Sequence, residues 1–155
     1  MTESDITIRP LEQDDIDAIM RLHRELGWNP AFQSDGTTLR QRLTALTSEE
    51  NTLLRVAVLD NKVMGYIHGE IMAYLLFAGR EMMITEVFVR EKARGMGVGK
   101  ALMAAMEIQA VENKCFRISV MNSRERESYK RGFYPSLSYE ERNQTAFFSK
   151  RLDWG

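Results

Sequence analysis

The 155-residue sequence holds one cysteine, two histidines and three prolines. A single thiol, Cys115, excludes an intramolecular disulfide and fits a reducing compartment. Cys115, His23 and His68 are too few for a Cys/His zinc site, so no metal is expected. Three prolines supply no linker, and no repeat or low-complexity tract interrupts the chain, so residues 1–155 read as one domain. No apolar run approaches the length of a membrane span; the longest, Ile71 to Gly79, is far too short. The opening MTESDITIRP is polar and acidic and lacks the apolar core of a signal peptide. Neither sign of charge dominates. Lys and Arg number 21 against 22 Asp and Glu, a net charge of −1, which gives no bulk attraction to nucleic acid or to an anionic membrane. The expectation is a cytoplasmic protein with neither of those partners.

What is present is the composition of an ordinary globular domain, with 44% hydrophobic and 28% charged residues, enough for a core. Ile6 and Ile8 alternate with polar residues and predict a first strand, stopped near Pro10. Asp14 or Asp15 offers an N-cap to a helix marked by Ile16, Ile19, Met20, His23 and Leu26 and ended by Gly27. A second helix is expected from Thr38 to about Leu46. Leu54, Val56 and Val58 form a strand, Asp60-Asn61-Lys62 a turn, and Val63 to about Leu76 the returning strand of a hairpin. Met83 to Val89 is a further strand, Val98 opens a long helix, and Cys115 to Met121 is another strand. A charged helix is expected from Arg124 to about Arg131, then a closing hairpin over Tyr139 to Leu152. The order β-α-α-β-β-β-α-β-α-β-β predicts an α+β fold, a sheet layered with helices.

The informative stretch is Arg94-Gly95-Met96-Gly97-Val98-Gly99-Lys100, between a strand and a helix. Glycines at alternate positions remove Cβ atoms, so amides at the helix start can approach an anion, and the helix dipole favours phosphate oxygens. Arg90, Lys92, Arg94 and Lys100 against Glu91 leave this segment locally positive. The plain alternative is a tight turn with a solvated basic face. Two rival phosphate motifs fail on spacing. A P-loop needs glycine where Arg94 stands and Ser or Thr where Ala101 stands; the dinucleotide fingerprint needs a third glycine where Lys100 or Leu102 stands.

These residues resemble the GNAT superfamily of acetyl-CoA-dependent N-acetyltransferases. Arg94, Gly97 and Gly99 meet its pyrophosphate-loop pattern Gln/Arg-x-x-Gly-x-Gly/Ala, and Val87-Phe88-Val89 matches the strand end that precedes it. Ile8-Arg9-Pro10 with Asp14-Asp15, and the aromatic pair leading to Lys150 and Leu152, resemble the family's two ends. The resemblance implies a central mixed, mostly antiparallel sheet flanked by helices, with acetyl-CoA as co-substrate. Arg94, Gly95, Met96, Gly97, Val98, Gly99 and Lys100 would hold its pyrophosphate, Val87, Phe88 and Val89 its pantetheine arm, and Asn122 would add a contact. An attacking amine must lose a proton. Glu86 stands where the family often places the carboxylate that accepts it; the plain reading is a strand carboxylate paired with a base, and Glu70 and Glu81 are alternatives. The amide of Phe88 or Val89 would face the developing oxyanion if the strand splays from its neighbour.

A tyrosine commonly protonates the departing thiolate in this family. The pattern Asn-x-x-Ala-x-x-Leu-Tyr-x-x-x-Gly-Phe/Tyr lies on the chain in two registers. One uses Asn122 and Tyr129, the other Tyr134 with Ser138-Tyr139. Tyr134 is preferred for its longer downstream match and Tyr129 is the runner-up, although Gly132 as a helix C-cap favours the latter and Pro135 disturbs a helix continuing through Tyr134. No partner carboxylate can be named for His68, and Cys115 reads as a small apolar group. The expected function is acetyl transfer to a primary amine of a small molecule or peptide by direct attack in a ternary complex. The alternatives are a non-catalytic acyl-CoA-binding or sensor module on the same fold and a helix-rich adaptor. A homodimer is compatible with the sequence but not demanded by it.

Overall fold

The computed structural model describes residues 5–27 and 36–152, with the backbone alone for residues 36–39. Two compact units divide after Met121. In the first, strands β1 (Thr7–Pro10), β2 (Thr52–Leu59), β3 (Lys62–Ala73), β4 (Arg80–Val89) and β5 (Cys115–Val120) form one sheet in the order β1-β2-β3-β4-β5. Pairing is antiparallel except between β4 and β5. The expected α+β fold class is therefore observed. Asp60 and Asn61 take positive φ at the β2–β3 turn, as a tight hairpin requires.

Helices α1 (Ile16–Glu25) and α2 (Gly36–Thr47) cover one face. Ile16, Ile19 and Leu22 of α1 and Leu43 of α2 pack on Leu54, Val56, Tyr66 and Phe88. Gly27, at φ 64°, follows the last turn of α1, as its lack of Cβ permits. The α1 entry differs from the simple N-cap expected. Glu12 and Asp15 form a capping box, and Asp15 also takes two hydrogen bonds from Arg9, at 2.6 and 2.9 Å. The Leu39 side chain lies outside the described residues.

Helix α3 (Val98–Glu112) covers the other face, with Val98, Leu102, Met103 and Met106 buried. Its seat depends on β3. A Cβ on Gly65 would lie 2.6 Å from the Phe88 carbonyl oxygen, and one on Gly69 2.6 Å from Met106 Cε. Between β3 and β4 the tip leaves Leu75 and Leu76 almost wholly exposed, while the Tyr74, Phe77 and Phe116 rings contact one another. Where β4 meets β5, Glu81 is buried at 1% exposure. Its oxygens accept hydrogen bonds from Arg117 Nε and Nη2, each 2.8 Å, from Tyr74 Oη at 2.7 Å, and from Ser119 Oγ.

The second unit carries two one-turn helices, α4 (Glu127–Lys130) and α5 (Phe133–Ser136). Gly132 sits between them at φ 67°. It ends α4 as expected, and the chain then starts a new helix instead of extending the first. Pro135 falls within that new first turn, where an N–H has no intrahelical partner anyway. The expected closing hairpin is not formed: residues 139–152 contain no strand. Tyr139-Glu140-Glu141 and the adjacent Phe147-Phe148 do not alternate on one face, as a half-buried strand must. Local turns bond Asn143 to Glu141 and Thr145 to Arg142 instead. Among the described residues no helix is long and apolar enough to cross a membrane.

Candidate active site

The β3–β4 ladder contains one irregularity, and it organises the site. His68 pairs with Glu86 and Gly69 with Ile84, so Thr85 is an extra residue, a β-bulge. Beyond it Glu86 and Phe88 stand opposite His68 and Tyr66, on the face that α1 and α2 cover. Arg90 N donates to Met64 O at 2.8 Å. By alternation, Phe88 and Glu86 also bond to β3, whereas Val87 and Val89 turn their amides away from it. On that outer side β5 pairs with β4 only from Arg80 to Ile84. The Val87 and Val89 amides thus face an edge with no strand partner among the described residues. Pairing with β5 stops at Ile84, where β5 ends, and Val89 with Val87, rather than Phe88, has the outward N–H.

Glu86 is exposed, and one of its oxygens is held: Tyr66 Oη donates to Oε2 at 2.7 Å. The two alternative carboxylates are more heavily engaged. Glu81 is buried and takes Arg117, Ser119 and Tyr74, which with the opposing cost of burial leave its carboxyl at about 2. It cannot accept a substrate proton near neutrality. Glu70 takes the Thr52 hydroxyl on both oxygens and lies 2.7 Å from His68 Nε2. His68 thus has the carboxylate partner that sequence could not name, and its Nδ1 lies 2.9 Å from Thr85 Oγ1. The first-turn acids of α1 are committed as well, Asp15 to Arg9 and Asp17 to Arg40 at 2.8 Å.

After β4 the chain makes one turn of 3₁₀ helix, Glu91–Ala93, and passes through extended Arg94. Gly95 and Gly97 then take φ 75° and 84°, values that L side chains resist. Among the described residues a Cβ on Gly95 would meet nothing within 4 Å, and one on Gly97 only Ile6 Cδ1 at 4.0 Å. Ala101 N bonds Gly97 O at 2.9 Å, so the Val98, Gly99 and Lys100 amides lie before the first intrahelical bond and are available to a ligand. Arg94 and Lys100 are exposed and have no ion pair among the described residues. Arg90 differs from the expectation, because its guanidinium is paired with Glu25. Met96 is half exposed, and its amide bonds back to Ala93 O. Amides without a partner among the described residues, glycines at positive φ and two cations fit a diphosphate.

In the second unit Asn122 accepts a hydrogen bond from Ser128 at 3.1 Å, while its Nδ2 is buried without a partner. The two candidate tyrosines differ. Tyr129 donates to Glu141 at 2.8 Å, and Glu141 also holds Arg124. That bond pushes the Tyr129 phenol above its ordinary range. Tyr134 packs against the Phe133 and Tyr139 rings, at 5.0 and 6.1 Å. Burial raises its phenol, against the opposing charge of Arg126. Among the described residues of its own unit, its hydroxyl has no partner. Cys115 is half-buried, and burial pushes its thiol up, away from thiolate chemistry.

Sequence reasoning missed Tyr66, His23 and Thr85. Tyr66 looks like one more apolar strand residue until the register puts it against Glu86. The Asp60-Asn61 turn sets β2 against β3 only as far as Val58, where the register shifts, and the β3–β4 connection hides the bulge at Thr85.

Comparison with known proteins agrees with this geometry. Residues 16–133 match the model of the acetyltransferase (GNAT) family. No curated protein matches the chain by sequence. Among solved structures, an aminoglycoside N-acetyltransferase in complex with CoA superposes with a TM-score of 0.78 at 20% identity, covering 96% of this chain and 97% of that one. Glucosamine-6-phosphate N-acetyltransferase from Arabidopsis thaliana gives 0.77 at 19% identity over 96% and 99%. A transcriptional regulator from Bacillus halodurans C-125 gives 0.78 at 19% over 96% and 100%. Identities this low speak for the fold alone, whereas the family model spans most of the sequence. The chain belongs to the acetyltransferase (GNAT) family.

Proposed function

We propose that residues 1–155 act as one acetyl-CoA-dependent N-acetyltransferase, passing the acetyl group to a primary amine of a small molecule or peptide by direct attack in a ternary complex. One observation carries the reading. A carboxylate with one oxygen tethered and its side chain exposed stands at a bulge beside an unpaired strand edge, and that edge runs into a glycine-rich anion cradle.

Arg94, Gly95, Met96, Gly97, Val98, Gly99 and Lys100 hold the diphosphate of CoA, the helix dipole of α3 adding to the two cations. Asn122 adds a further hydrogen bond. Val87 and Val89 pair with the amide-bearing pantetheine arm as an added strand would, with Phe88 fixing the strand from its buried side. The amine approaches from the face bearing Glu86, whose free oxygen accepts its proton directly or through one water. Nitrogen then bonds to the thioester carbon, negative charge grows on the carbonyl oxygen, and an outward amide of β4 meets it. As the carbon–sulfur bond breaks, Tyr134 gives its proton to the sulfur, with Tyr129 the second choice because its hydroxyl is engaged by Glu141.

Acetyl transfer from acetyl-CoA across a panel of polyamines, aminoglycosides, amino acids, aminoalkylphosphonates and peptide N-termini tests the reading, with Glu86→Gln beside the wild type. Turnover on one amine, lost by at least about 100-fold in Glu86→Gln, is expected for a general base. Binding of acetyl-CoA with no transfer to any amine would instead support the sensor module. Absence of binding would refute both.

A further inference from the structure

Resting on the reading of Glu86 as the proton acceptor, we infer that Tyr66 and His23 are positioning residues that hold and polarise this carboxylate through a directed hydrogen-bond chain running into α1. Tyr66 Oη donates to Glu86 Oε2 at 2.7 Å, and His23 Nε2 lies 2.7 Å from Tyr66 Oη. A phenol has one hydrogen. With that hydrogen spent on the carboxylate, the contact to His23 requires the imidazole to donate, which places a hydrogen on Nε2. The chain therefore runs one way, from imidazole N–H to phenol O–H to carboxylate.

The surroundings make the chain costly unless it is complete. Tyr66 is 1% exposed in the apolar cluster with Leu22, Ile16 and Phe88. The three rings of His23, Tyr66 and Phe88 pack with centroids 5.5 to 5.9 Å apart. A phenol oxygen buried there without partners costs stability, and its two partners are a helix residue and the candidate base. Burial and the adjacent Glu86 charge hold the Tyr66 phenol far above its ordinary range. It therefore remains a donor throughout the working range of an enzyme and does not itself act as a base.

Two consequences follow for the site. Fixing Oε2 from the buried side leaves Oε1 as the oxygen free to accept a proton, and ordering it in advance removes a rotameric search. A chain of donors also polarises cooperatively, so donation from His23 strengthens the Tyr66 bond to Glu86. The charged groups around His23 are Glu86 on β4 and Arg42 on α2. Burial lowers the imidazole, Glu86 opposes that shift and Arg42 adds to it. Its neutral form is thus the resting donor.

The test compares Tyr66→Phe, His23→Leu, His23→Gln and Glu86→Gln by steady-state acetylation against pH, with His23 followed by NMR titration. Tyr66→Phe keeps the ring but removes the donor to the charged carboxylate, which disfavours that form. Turnover is expected to fall by about tenfold, a fraction of what a general base supplies. The KM for acetyl-CoA should stay within about twofold, since the change lies outside the CoA contacts, and the acid limb of kcat/KM should move to higher pH. His23→Leu should reproduce the loss in weaker form. His23→Gln, whose amide N–H can reach the same oxygen, should lose less than His23→Leu. In Glu86→Gln the His23 titration should move down, because the opposing anion is gone. Loss of activity in Glu86→Gln with unchanged turnover and pH profile in Tyr66→Phe overturns the positioning role and leaves the base intact. Full activity in Glu86→Gln overturns the base reading and the positioning role with it. Should Tyr66→Phe not fold, equal effects of His23→Leu and His23→Gln, or an unmoved His23 titration in Glu86→Gln, overturn the chain.

Discussion

Replacing Glu81 with glutamine should make the stability of this protein far less sensitive to acid. Glu81 is buried, and Arg117, Ser119 and Tyr74 saturate its oxygens. These partners bring its carboxyl from the usual 4.5 to about 2. At about 1.4 kcal/mol per pH unit, that difference stabilises the charged folded state by about 3 kcal/mol. Removing one member of such a pair costs a similar amount, roughly 3–5 kcal/mol, because the other charge is left without its partner. Glu81→Gln should therefore unfold about 3 kcal/mol more easily at pH 7, a fall in Tm of roughly 6–12 °C for a domain of this size. Because the folded-state value is the lower one, the stabilisation is complete above the ordinary carboxylate range. It drains away as pH falls from about 4.5 towards about 2. The penalty of the substitution should shrink along the same interval. Urea unfolding by circular dichroism at pH 7, 5, 4 and 3 measures it as the difference between wild type and variant, which cancels the contributions of Asp15 and the other paired acids. A penalty that stays constant across this series would mean that Glu81 contributes packing rather than charge, and would refute the reasoning.

Gly97→Glu should leave a folded protein yet weaken acetyl-CoA binding by roughly a hundredfold or more, because a carboxylate would occupy the anion seat and like charges there cost several kcal/mol. Its φ of 84° adds strain of about 1–2 kcal/mol for any side chain. Calorimetry that still shows tight binding would remove the loop from the site. Tyr134→Phe should lower turnover by roughly 10- to 100-fold with little change in acetyl-CoA affinity, as expected for loss of a proton donor. If Tyr129→Phe does this instead, Glu141 tunes the donor and the other register was the correct one.

Local signals carried most of the fold. Gly27, the Asp60-Asn61 turn and the glycines from 95 to 99 each act through their own backbone, so spacing alone located them. The sheet face was legible for the same reason, since Leu54 and Val56 repeat with the pleat. What sequence could not supply depends on which strand residues stand opposite one another. The Tyr66 contact to Glu86 and the Thr85 contact to His68 exist only once β3 and β4 are aligned, and one extra residue shifts that alignment. The end of the chain failed differently. Phe147 and Phe148 suggested a strand by propensity, but adjacent aromatics cannot share one face of a pleat, and 77% and 89% of their surface stays exposed.

The bulge at Thr85 has a consequence for how this strand tolerates length changes. Losing one residue from a regular strand inverts every later side chain, sending core residues to water and surface residues inward. Thr85 has no opposite number on β3, so its removal would close the ladder without such an inversion: Phe88 would still meet Tyr66, and Glu86 would still meet His68. Only the local kink would go, and with it the contact of Thr85 Oγ1 to His68 Nδ1. The same position is therefore spare in the register of the ladder, while it sets how the strand bends just before Glu86.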